Sequence, residues 1–191
     1  MYCVKQWFGL VMALSLVGCG DLADDLNPSD HDQRPAVTAG TLGNQPGQLA
    51  VDFSLATSTA TTFQLSNHLA GGSQPVDAVV LYFTMWCPIC LAHSDHMFNS
   101  VIPQFQARGT VVYALVDYVS GSVVASRAAE MANGYAGSVF VTLVDDQRAV
   151  MDQFNAAMGS VIVIAADGTI VMNEDYRNGD ALMTNLDALL P

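Results

Sequence analysis

Cys87 and Cys90 stand close together in Trp86-Cys87-Pro88-Ile89-Cys90, and a close thiol pair can make and break a disulfide. The flanking residues say how that chemistry would be arranged. Ala78-Val79-Val80-Leu81-Tyr82-Phe83-Thr84 is an apolar, β-branched run, and the segment after the pair can be helical. A strand, then Cys-x-x-Cys, then a helix is the setting in which two cysteines do redox work. Pro88 can open the helix at no cost, because first-turn N–H groups lack intrahelical partners anyway. Cys87 then falls at the helix N-terminus, where free amides and the macrodipole favour a thiolate. Cys90 lies on the same face, near the Cα separation of about 5.5–6 Å that a disulfide prefers. Cys87 is thus expected to attack and Cys90 to resolve. A structural staple over so short a loop would close little chain entropy. A zinc site would call for a second ligand pair.

The elements that must hold this pair alternate along the chain. Val51–Leu55 and Thr61–Leu65 read as an opening hairpin, and Ser66–Leu69 as a short helix. Ala78–Thr84 has the continuous apolar character of a buried central strand. The spacing predicts a helix from Pro88 to about Arg108, bent or broken near Pro103. Thr110–Val116 and Val139–Val144 read as strands, Ser122–Ala132 and Gln147–Phe154 as helices. Ser160–Ala165 and Thr169–Asn173 flank Asp167-Gly168, a favoured hairpin turn. Asp180 is placed to cap a last helix, Asp180–Leu190. The order predicts an α/β fold, a central mixed sheet with helices on both faces.

The WCPIC motif after a buried strand resembles thioredoxin-like proteins, more closely the TlpA-type thiol-disulfide oxidoreductases of the redoxin group. The resemblance runs from about Gly47 to the C-terminus. It includes Val51-Asp52-Phe53-Ser54-Leu55 near its start and Ile162-Val163-Ile164-Ala165-Ala166-Asp167-Gly168-Thr169-Ile170-Val171 near its end. It implies a thioredoxin-like three-layer sandwich and thiol-disulfide exchange through Cys87 and Cys90. No cofactor is implied beyond that redox-active pair, and no metal. Trp86 matches the family motif and is expected to form a flat apolar surface beside the dithiol, with Pro88 and Ile89 completing the surround.

Two departures from the family pattern stand out. Thioredoxins carry a buried acid six residues before the first cysteine, where this chain has Leu81, so water or a histidine would have to take the proton of Cys90. The family also places a cis-proline before the penultimate strand, where this chain reads Met158-Gly159-Ser160. A non-proline cis bond costs about 2.5–4 kcal/mol, so a trans bond and a looser loop at Gly159 are expected. His93 and His96 follow Cys90 in steps of three and fan out over about 120° of an ideal helix, which favours a helix-surface role. A soft metal such as Cu(I) is the alternative occupant of the pair. Thiol peroxidase chemistry is a further alternative, since Thr84-x-x-Cys87 matches half of the peroxiredoxin motif while Val80 stands in place of its proline.

The chain's first residues read as an address. Lys5 precedes a mostly apolar stretch, Trp7 to Val17, too short to span a bilayer. Leu16-Val17-Gly18-Cys19 resembles the bacterial lipobox, which implies cleavage before Cys19 and lipidation of that residue. Residues 1–18 are then a signal peptide and 19–46 an acidic flexible tether, rich in aspartate, proline and glycine. Residues 47–191 are the thioredoxin-like domain. Cys3 is lost and Cys19 acylated, which leaves Cys87 and Cys90 as the free thiols, consistent with an oxidising compartment. The expected place is the bacterial cell envelope, lipid-anchored and facing the periplasm, with the outer membrane favoured. Protein thiols and disulfides there are the expected partners, with the membrane reached through acyl chains. Without Lys5, five arginines face 18 carboxylates. A surface that acidic repels phosphate backbones and argues against nucleic acid as a partner.

Overall fold

A computed structural model describes residues 37–191. The expectations for residues 1–36, including cleavage after Gly18 and the lipid on Cys19, lie outside the described residues. One compact unit begins at Val37, ten residues before the expected domain start. Two short strands, β1 (Leu42–Gly43) and β2 (Leu49–Ala50), pair in parallel there. The Gly47 amide donates to the Ile170 carbonyl at 2.8 Å, and Asn173 Nδ2 donates to the Asn44 carbonyl at 2.7 Å. Those bonds draw part of the expected tether onto the domain.

The main sheet has seven strands. β3 (Ser54–Thr57) and β4 (Thr62–Gln64) form the opening hairpin, and β5 (Ala78–Thr84) is the central strand. β6 (Val111–Asp117), β7 (Val141–Val144), β8 (Ser160–Ala165) and β9 (Ile170–Asp175) complete the order β4-β3-β7-β6-β5-β8-β9. β5, β6 and β7 run parallel, and the outer pairs are antiparallel. All seven residues of β5 are buried, as its unbroken apolar run foretold. Alternate residues serve opposite faces. Val80 and Tyr82 pack with Cys90, Met97 and Leu186, whereas Val79, Leu81 and Phe83 pack with Phe53, Val150 and Phe154. The result is a central mixed sheet with helices on both faces. β3 starts three residues later than expected because Asp52 turns aside to bond the start of the next helix. Its carboxylate accepts from the Ser66 amide at 2.8 Å, at the start of α1 (Leu65–His68).

The helix after the cysteines is continuous but changes pitch. α2 (Pro88–His96) passes into a π turn, Met97–Val101, and then into α3 (Ile102–Phe105). Pro103 would set its ring against the carbonyl one turn earlier in a regular α-helix. The wider turn before it accommodates the ring, so the expected break appears as a π turn. α4 (Val123–Ala132) is capped by Ser122, whose Oγ accepts from the Ala125 amide. α5 is Ala149–Gln153 and α6 is Asp180–Leu189. Asp180 does not cap α6. Gly179 occupies that position at φ 85°, a left-handed conformation open to glycine, and Asn178 Oδ1 accepts from the Asp180 amide.

Candidate active site

The fold brings Cys87 to the C-terminal end of β5, as the N-cap of α2 with Pro88 in the first turn. The Cys87 sulfur itself is the cap: it accepts from the Cys90 amide at 3.2 Å. Its Sγ lies 2.7 Å from Cys90 Sγ, and both cysteines are free. Their exposures differ. Cys87 is half-buried and Cys90 is fully buried. Burial works against a charged Cys87 sulfur, but hydrogen bonds from the Cys90 thiol and from the Cys90 and Ile89 amides prevail, and its thiol is held below the ordinary value. The partially exposed sulfur is thus the more nucleophilic one by environment, and a second sulfur waits within bonding reach.

Trp86 carries strain at the junction of strand and helix. Its φ is 58°, in the left-handed region that non-glycine residues seldom occupy. Two bonds hold it there. Its amide donates to Thr84 Oγ1 at 3.1 Å, and its indole Nε1 donates to Asp117 Oδ2 at 2.9 Å. The ring stacks on Tyr135 with centroids 6.4 Å apart. Trp86 is therefore a half-buried, polar-anchored ring rather than a flat open surface. The exposed apolar side chains beside the dithiol are Ile89, Met85 and Met158. Met158 Sδ sits 3.8 Å from Cys87 Sγ.

Asp117 ends β6 and is buried. Burial opposes its charge, yet bonds from Ser120 and Trp86 hold its carboxyl below the usual range. Its Oδ1 also accepts from the amides of Val119 and Ser120. The strand expected from the sequence ends at Val116, one residue short of this carboxylate. A carboxylate closing an apolar strand was the available signal.

The Gly159 loop is trans, as expected, since no cis peptide bond occurs among the described residues. It is not loose. The Gly159 amide donates to the Phe83 carbonyl at 3.0 Å, and its carbonyl accepts from the Tyr176 amide at 2.9 Å. Ser160 Oγ accepts from the Ala157 amide at 2.9 Å. Glycine is needed here for its φ of 86°, so it fixes a turn rather than freeing one.

The histidines also depart from the helix-surface expectation. His93 Nδ1 lies 3.0 Å from the Tyr82 hydroxyl, and His96 Nδ1 lies 2.8 Å from the Tyr176 hydroxyl. The His93 ring packs over Tyr176 at 4.7 Å. Both histidines turn inward because two tyrosines offer hydroxyls that would otherwise be buried without partners. The sequence signal for this pairing is Tyr82 itself, a hydroxyl inside an apolar run. No group of three metal-ligating side chains converges among the described residues.

Residues 46–174 match the model of the AhpC/TSA family. The chain belongs to the AhpC/TSA family. No curated protein sequence is similar enough to match it. Among solved structures, this AhpC/TSA chain is similar to a candidate thiol:disulfide interchange protein DsbE from Chlorobium tepidum, at 18% identity and TM-score 0.61, covering 76% of this chain and 97% of that one. It is similar to the peroxidoxin BcpB from Mycobacterium tuberculosis, at 20% identity and TM-score 0.60, covering 75% and 97%. A secreted M. tuberculosis disulfide oxidoreductase homologous to E. coli DsbE matches at 21% identity and TM-score 0.54, covering 72% and 96%. The shared fold is thioredoxin-like, and the family is one of thiol redox proteins.

Proposed function

We propose that this AhpC/TSA protein exchanges disulfides with exported proteins through Cys87 and Cys90. The Cys87 thiolate attacks one sulfur of a substrate disulfide, forming a mixed disulfide and releasing one substrate thiolate. Cys90, deprotonated, then attacks Cys87 Sγ, which releases the second substrate thiolate and leaves Cys87–Cys90 oxidised. The observation that carries this reading is the pair itself: a half-buried sulfur capping a helix, 2.7 Å from a buried one. Ile89, Met85 and Met158 offer apolar contact to an unfolded segment around the disulfide.

Thiol peroxidase activity is the second reading, favoured by the family match and the likeness to a peroxidoxin. There, peroxide would oxidise Cys87 to a sulfenic acid, and Cys90 would condense with it, expelling water. Local geometry favours exchange. Thr84 Oγ1 accepts from the Trp86 amide at 3.1 Å, and no arginine among the described residues hydrogen-bonds Cys87. Parallel assays of insulin-disulfide reduction and peroxide consumption, in wild type and Cys87→Ser, decide between the two. Exchange predicts reduction that vanishes in Cys87→Ser, with little peroxide consumption. Peroxide turnover without insulin reduction would reverse the assignment.

The setting we propose is the bacterial envelope, with Cys19 lipidated and the chain from Gly20 spacing the domain from the membrane. No helix among the described residues is long and apolar enough to cross one. Mass spectrometry of membrane-extracted protein should find an acylated N-terminal peptide beginning at Cys19. A mature form starting elsewhere would refute the anchor.

A further inference from the structure

Resolution by Cys90 needs an acceptor for its proton, and the residue that would supply a carboxylate by analogy is Leu81, which faces away from the sulfurs with Phe53 and Phe154. The carboxylates at the end of β6 and on α2 are engaged elsewhere. Asp117 holds Trp86 Nε1 and two backbone amides, and Asp95 accepts from the Tyr135 hydroxyl at 2.7 Å. The next residue along the strand, Tyr82, lies on the correct side. It is buried in one cluster with Cys90, and its hydroxyl contacts His93 Nδ1 at 3.0 Å. His93 follows Cys90 on the same face of α2, one turn on, and is half-exposed.

We propose that Tyr82 and His93 form a proton relay for Cys90, a proposal that rests on the dithiol-exchange reading. As Cys90 attacks the mixed disulfide, its S–H proton passes to Tyr82 Oη. The Tyr82 O–H proton passes to His93 Nδ1. The Cys90 electron pair forms the new S–S bond, and the substrate leaves as thiolate. His93, now imidazolium, returns its proton to water from its exposed edge. The tyrosine ends as it began, so the net change is one proton moved from a buried thiol to solvent.

The surroundings suit each step. Burial, and then the charge of Cys90, hold the Tyr82 hydroxyl above its ordinary value, so it passes a proton without keeping a charge. Burial, and then His96, hold His93 below its ordinary value, so it is a neutral acceptor at neutral pH and releases the proton readily. The other titratable groups facing this cluster are Tyr176, which follows β9 and packs on His93, and His96, which contacts the Tyr176 hydroxyl; Tyr118 packs on the opposite face of the sheet with Leu81.

Ellman's disulfide separates the two chemical steps in the reduced full chain. Attack by Cys87 releases one coloured thiolate, and resolution by Cys90 releases a second. Tyr82→Phe and His93→Gln should leave the first phase within about twofold and slow the second by about tenfold or more. Glutamine still accepts from the Tyr82 hydroxyl, so a purely structural role would survive in His93→Gln. In wild type the second phase should show an inflection below the ordinary histidine value, and that inflection should vanish in His93→Gln. Added imidazole should restore the second phase of His93→Ala. An unchanged second phase in both variants would overturn the relay, as would slowing with the inflection kept and no imidazole rescue. Failure of the underlying reading looks different: the second phase would be absent in wild type or would persist in Cys90→Ser.

Discussion

Gly159→Pro would place in this chain the residue that related folds carry opposite their dithiol, and the structure predicts that it harms the domain. Proline holds φ near −65°, whereas Gly159 sits at 86°. Proline also lacks the N–H that donates to the buried Phe83 carbonyl at 3.0 Å. Leaving that carbonyl without its partner costs about 1–3 kcal/mol. Forcing the backbone into an incompatible region costs about 1–3 kcal/mol more. The sum, about 2–6 kcal/mol, is a large share of the roughly 5–15 kcal/mol that holds a domain folded. At a slope of about 2 kcal/mol per molar urea, a loss of 4 kcal/mol lowers the midpoint by about 2 M. Gly159→Ala separates the two contributions. It keeps the N–H, its added Cβ meets nothing within 4 Å, and the left-handed backbone alone costs about 1–2 kcal/mol. Urea unfolding of both reduced variants, followed by circular dichroism, checks the order wild type, Gly159→Ala, Gly159→Pro. A Gly159→Pro protein with the wild-type midpoint would refute the account of this loop.

Asp117→Asn should cost about 1–3 kcal/mol by weakening the anchor of Trp86 and the Val119–Ser120 turn. Because folding lowers the carboxyl of Asp117, its contribution is full above the unfolded carboxylate value and is lost as pH falls through the folded one, so the gap to the variant should narrow in acid urea titrations. The rate of Cys87 alkylation should rise with pH around a midpoint below the ordinary thiol value, and Cys90→Ala should move that midpoint upward by removing the Cys90 thiol's hydrogen bond. An unmoved midpoint would show that the backbone amides alone set it. No basic side chain hydrogen-bonds Cys87 among the described residues, so a glutathione redox titration should give a potential nearer about −270 mV than the about −120 mV of strong oxidants. A value above about −150 mV would contradict this.

The parts of the molecule legible in its sequence are those where one local rule dominates. Ala78–Thr84 is apolar throughout because β5 is covered on both faces, and Pro88 marks the first turn of α2 whatever packs on it. Cys87 as a helix cap follows from those two facts. The rest depends on which way a side chain turns. A continuous apolar run does not reveal whether Leu81 or Tyr82 faces the sulfurs, and the register of β5 between β6 and β8 decides it. His93 and His96 read as surface residues because the tyrosines that turn them inward come from β5 and from beyond β9, distant in sequence. Gly159 read as a source of freedom, since its partners, Phe83 and Tyr176, are also remote. Residues 37–46 have a tether's composition and dock through backbone and amide bonds that hydropathy does not register.

Trapping the covalent intermediate tests the central proposal most directly. Reduced Cys90→Ser protein, which cannot resolve, is incubated with insulin and separately with hydrogen peroxide, then quenched, digested and weighed by mass spectrometry. Dithiol exchange predicts an insulin chain joined to the peptide that carries Trp86 and Cys87, absent when Cys87 is also replaced and released by reductant. No mixed disulfide at Cys87, together with its stoichiometric oxidation to sulfenic acid by peroxide, would contradict it.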